Sequence, residues 1–97
     1  MKRILFVCLA MMAGLALRAQ DSRLAQQYFQ NGEYEKAAVL FEQLYEANLQ
    51  NDYFFDRYVD CLISLERYEA CEKAIRKQIK RDPKNLPLYV TLGRLFE

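Results

Sequence analysis

The residues best placed for chemistry are Asp56 and Asp60, one helical turn apart, with Arg57 beside them. Two carboxylates at this spacing could hold a cation or share a proton. Nothing else in the chain joins them. The sequence has no His, the commonest general base and a frequent metal ligand. It has no Gly-rich phosphate loop, and Arg57 is positioned to neutralise one of the two acids. The pair therefore reads as a solvated acidic face. No residue is expected to act in catalysis, and no cofactor or metal is called for. The beginning of the chain, Cys61 and Cys71, and a basic run of Lys73, Arg76, Lys77, Lys80, Arg81 and Lys84 are the other features with chemical potential.

The chain of 97 residues opens on Lys2-Arg3, followed by an unbroken apolar run of 14 residues, Ile4 to Leu17, and then Arg18-Ala19-Gln20. A charged start, a short apolar stretch and a small residue before a polar turn form a secretory signal. A bilayer-spanning helix needs about 20 apolar residues, so the run is short for an anchor. Cleavage is expected after Ala19, giving an exported, periplasmic or otherwise envelope-associated chain that meets the membrane only through this transient segment. Three of the 14 basic residues lie in the first 18 positions; beyond them 11 basic residues face 13 acidic ones, a net charge of −2. That balance leaves no footprint for nucleic acid.

Export permits disulfides. In a helical hairpin, however, Cys61 would lie about 200° around its helix from the inward-facing Val59, so it points away from the partner helix. Two small apolar core residues are the favoured reading of Cys61 and Cys71. On the basic run, Glu69–Lys73 and Glu72–Arg76 have the i, i+4 spacing of surface ion pairs. The run reads as a solvated outer helix face, with a polyanion- or membrane-surface role for residues 73–84 as the alternative.

The elements that carry these residues are helical. Phe55, Tyr58, Val59 and Leu62 follow the i, i+3, i+4, i+7 rule, and Phe54, Cys61 and Leu65 form a second apolar stripe beside them. A helix with two apolar faces packs against two neighbours. Breaks at Asn31-Gly32, Asn48–Asp52 and Asp82-Pro83-Lys84-Asn85 predict helices over 21–31, 34–47, 53–65, 68–81 and 86–96. Asp52 is the expected cap of the third. The turn at Leu65–Tyr68 carries no glycine and rests on the internal repeat alone.

That repeat has a period of 34 residues. Tyr34, Ala37 and Phe41 recur as Tyr68, Cys71 and Ile75; Leu24, Ala25 and Tyr28 recur as Tyr58, Val59 and Leu62, then as Leu92, Gly93 and Phe96. A fixed period of this size means stacked supersecondary units. The pattern resembles the tetratricopeptide repeat (TPR). Tyr89, Leu92, Gly93 and Phe96 match the family signature on the first helix of a unit. Gly32, Tyr34, Ala37 and Phe41 match its second part, and Pro83 closes the second unit. Val59, Gln78, Leu44 and Leu49 depart from it.

The resemblance implies an all-α, right-handed stack of antiparallel helical hairpins over residues 20–97, about two and a half repeats, with units at 20–51, 52–85 and an incomplete 86–97. It also implies a protein–protein interaction scaffold or assembly module rather than an enzyme. The first helix of each hairpin would line a partner-binding groove, here Gln26, Phe29 and Gln30, then Asp56, Arg57, Asp60 and Ile63, then Val90 and Arg94. The partner would be a protein or peptide. The last helix would offer an open face, including Leu88 and Leu95, for a further unit or for self-association. The alternative in another class is a helical appendage or N-terminal fragment of a larger exported enzyme.

Overall fold

The structure, a computed structural model, describes residues 21–96. The expected signal segment, residues 1–19, lies outside the described residues. Five helices and no strand are found among those described: α1 over 21–30, α2 (Tyr34–Ala47), α3 (Asp52–Ser64), α4 (Tyr68–Arg81) and α5 (Leu86–Leu95). The chain folds as the all-α stack of helical hairpins that the period predicts.

The repeat is written in the backbone. At the end of α1 the Gly32 N–H donates to the Phe29 carbonyl at 3.1 Å, and the Glu33 N–H to that of Tyr28 at 2.8 Å. At the end of α3, 34 residues on, the Glu66 N–H donates to Ile63 at 3.0 Å and the Arg67 N–H to Leu62 at 2.9 Å. Both are Schellman closures, which need a residue in the left-handed region. Gly32 meets that need with φ 77°, and Glu66 with φ 59°. The missing glycine thus does not remove the turn; Glu66 accepts a conformation that costs an L-residue about 1–2 kcal/mol.

The start of α3 corrects one expectation. Asn51, not Asp52, is the cap: its side chain accepts from the Phe54 N–H at 3.1 Å, and Asp52 is the first helical residue. Both residue types cap well, so one position of register separates them. An acid in the first turn still favours the helix dipole.

Two clusters form the core. Ala25, Ala37, Ala38, Phe41, Leu44 and Cys61 pack between α1, α2 and α3. Tyr45, Phe55, Val59, Leu62, Cys71, Ile75 and Leu88 pack between α2, α3, α4 and α5. Helix α3 feeds both, through the two apolar stripes seen in its sequence. Ala37, Phe41, Cys71 and Ile75, the equivalent positions of the two units, are all fully buried. The small pair lets helices approach and the large pair fills the space, each large side chain worth about 1.5–3 kcal/mol on burial. Cys61 and Cys71 belong to different clusters and are free thiols. Burial raises both thiol pKa values, that of Cys61 to about 11.

A second correction concerns α5. Leu88 is buried in the core and Leu95 packs against it, so neither lies on the open face. That face is formed instead by Tyr89 and Phe96, both exposed. A Cβ added at Gly93, between them, would meet nothing within 4 Å. Leu88 turns inward because it follows Pro87 by one position, which rotates it about 100° away from the outward Pro87.

Candidate functional site

Helices α3 and α5 run side by side and leave an open groove of about 620 Å³ between them. Asp56, Arg57, Asp60 and Ile63 come from α3; Val90, Thr91 and Arg94 come from α5. Six of the residues expected to bind a partner therefore share one surface: Asp56, Arg57, Asp60, Ile63, Val90 and Arg94. Their spacing on each helix is one turn, so they project in rows. Ile63 and Val90 are 38% and 58% exposed, which leaves apolar surface available to a ligand in an otherwise charged wall.

The other expected residues lie elsewhere. Gln26 and Gln30 line a separate shallow pocket on α1 with Arg23 and Gln27. Phe29 is half-buried against the first core cluster, edge-on to Tyr34 at 5.5 Å and to Phe41 at 6.3 Å. The Arg57 guanidinium sits 5.0 Å from the centre of its ring and 5.5 Å from that of Tyr53. Phe29 thus serves as a platform for Arg57. The same guanidinium donates to Asp60 at 2.7 Å. Arg57 is held from two sides, and it links the α1 surface to the groove.

Of the two acids in the groove, this pairing leaves Asp56 as the one without an ion-pair partner among the described residues. Partial desolvation raises its pKa, and the carboxylates of Asp52 and Asp60 push in the same direction against Arg57. No group of His, Cys, Asp and Glu among the described residues could hold a metal ion.

Leu86 and Pro87 also line the groove. Leu86 was missed by sequence reasoning, although its place one turn before Val90 was a usable signal. A larger omission is a polar network between the two hairpins. The Tyr45 hydroxyl donates to the Gln78 Oε1, the Gln78 Nε2 donates to the Leu49 carbonyl at 3.3 Å, and Arg81 donates to the Tyr45 oxygen at 3.0 Å. Gln78 is the buried polar side chain of the core, and this network satisfies it. Burial raises the Tyr45 pKa, opposed by Arg81. Arg81 stays exposed, but its guanidinium turns from the solvated row to the Tyr45 hydroxyl. Of the two expected surface pairs on α4, Glu72–Arg76 forms at 2.9 Å; Glu69–Lys73 is not formed among the described residues.

No helix among the described residues is long and apolar enough to cross a membrane. Neither a curated protein nor a solved structure significantly matches the chain. A family model does: the tetratricopeptide repeat matches residues 28–95. That span runs from the first hairpin into α5 and contains the paired turns, the second core cluster, all of the first but Ala25, and the α3–α5 groove. The chain belongs to the tetratricopeptide repeat family.

Proposed function

We propose that this protein is an exported interaction module of a bacterial envelope, and that it holds a segment of a partner protein in the α3–α5 groove. Membership of a family of protein-interaction modules supports the general role. The observation that carries the site is the convergence of Asp56, Arg57, Asp60, Ile63, Val90 and Arg94 on one open groove of about 620 Å³. A groove of this size, polar at its walls with exposed Ile63 and Val90, suits an extended or helical peptide that buries one or two apolar side chains. Arg57 is already fixed by Phe29 and Asp60, so binding does not have to order it. The charged start and apolar run of residues 2–19 support export. Gln26 and Gln30, in their separate pocket on α1, offer a further contact to a longer partner.

A photo-activated cross-linking residue placed at Val90 in cells tests this reading. One discrete protein adduct is expected from Val90, and none from the same probe at Leu49, in the loop outside the groove. Equal adducts from both positions, or none from Val90, would contradict it. Fractionation with the same chain checks export; full recovery in the cytoplasm at full length would contradict that part.

A further inference from the structure

Helices α2 and α4 lie side by side and parallel on the surface away from the α3–α5 groove. Their N-terminal ends are joined by Arg67, the residue before α4, to Glu35 at 2.8 Å, and their last turns by Arg81 to Tyr45 at 3.0 Å. Between these ties they leave a cleft of about 250 Å³, floored by Tyr45, Tyr58, Ala70 and Ala74. Its two rims carry opposite charge. Glu42 and Glu46 stand on the α2 rim, and Lys73 and Lys77 on the α4 rim. None of these four forms an ion pair among the described residues. The pattern is not solely solvent-facing decoration: Tyr58 on the cleft floor has its pKa pushed up to about 12, by burial first and then by Glu42 and Glu46.

A face that is acidic along one helix and basic along its parallel neighbour is complementary to itself under one operation. A two-fold axis running along the cleft places α2 of one copy on α4 of the other, and α4 on α2. A two-fold axis across the helices would stack like charges on like. We infer that the α2–α4 face is a self-association surface, on which a second copy of this chain docks about an axis parallel to the two helices. The interface is isologous, so each charge contact occurs twice. Exposed Val39 lies between Glu42 and the start of α2 and adds an apolar contact to the lysine stems. Contacts of this kind set orientation and encounter rate more than affinity, so the association is weak and salt-sensitive.

The experiment uses two differently tagged full-length copies, co-purified in non-ionic detergent. Self-capture is expected at about 50 mM salt and is lost at about 500 mM, where the Debye length falls below about 5 Å. The variants Glu42→Lys with Glu46→Lys, and Lys73→Glu with Lys77→Glu, are each expected to lose self-capture by about ten-fold. Mixing the two variants restores it, since one then presents a basic face and the other an acidic one; that rescue also shows both to be folded. Failure of the mixture to recover capture would overturn the inference. So would capture indifferent to salt and to all four charges, which would place the contact on the apolar face of α5. Vesicles of anionic phospholipid separate the remaining occupant: loss of vesicle binding in the lysine variant, with self-capture unchanged in the glutamate variant, would assign the face to lipid instead.

Discussion

The two complete hairpins solve one backbone problem with different side chains. In α1–α2 the turn is made by Gly32; in α3–α4 the same turn, hydrogen bond for hydrogen bond, is made by Glu66. In α2 the buried positions Ala38, Phe41 and Leu44 are wholly apolar, whereas their counterparts in α4 are Glu72, Ile75 and Gln78. Only Ile75 and Gln78 of these stay buried, and Gln78 does so by bonding to Tyr45 of the preceding hairpin. The first unit is therefore stabilised mainly within itself and with α3. The second depends more on what it touches in the first. A repeat protein distributes its stability between units and the interfaces that join them, and here the balance shifts along the chain.

Several substitutions sharpen that contrast. The largest effect is expected at Phe41, fully buried among the first cluster. Phe41→Ala should cost about 3–5 kcal/mol in chemical denaturation, against about 2–5 kcal/mol for Ile75→Ala, its equivalent. A smaller loss for Phe41→Ala than for Ile75→Ala would reverse the ranking of the two units. Next come Asn51 and Asn85, also 34 residues apart. Asn51 accepts from the Phe54 N–H while Asn85 makes no side-chain cap. Asn51→Ala should cost about 1 kcal/mol and Asn85→Ala less than about 0.5 kcal/mol; equal costs would show the caps to be alike.

The turns give a pair of opposite sign. Gly32→Ala should destabilise by about 1 kcal/mol, because φ 77° disfavours any side chain. Glu66→Gly should stabilise by about 0.5 kcal/mol, relief of the left-handed strain being partly offset by the freedom glycine gains when unfolded. Thermal denaturation reads both.

Alkaline pH separates the two thiol environments from solvent. Cys61 titrates ordinarily at 9.0 and in the fold at about 11. The unfolded chain therefore releases its proton first, and stability present below pH 9 should decline as pH rises through about 11. Cys61→Ala should flatten that decline in a denaturation series; an unchanged slope would assign it to the other groups that burial raises, Cys71, Tyr45 and Tyr58.

Much of this fold was legible because its strongest signals are local and repeated. Tyr34, Ala37 and Phe41, with their copies at Tyr68, Cys71 and Ile75, fixed the hairpins to within a residue or so at each helix end. The double apolar stripe of α3 announced its place between two clusters. What was hidden depends on positions far apart or on backbone angles. Glu66 carries no mark of the left-handed conformation it adopts. Gln78 meets Tyr45, 33 residues earlier, and looked only like a departure from the family pattern. The inward turn of Leu88 was hidden because the register of α5 against α4 cannot be read from a helix with apolar residues all round. The α3–α5 groove residues were legible as rows on helix faces, but the role of Phe29 beneath Arg57 required two helices to be placed side by side.

The account rests on successive hairpins nesting against each other. A double-mutant cycle across Tyr45 and Gln78 measures that contact directly. Tyr45→Phe, Gln78→Ala and the combined variant, compared by chemical denaturation, should give a coupling energy of about 1 kcal/mol or more. A coupling indistinguishable from zero would mean that α2 and α4 do not meet, and the stacked arrangement would fail.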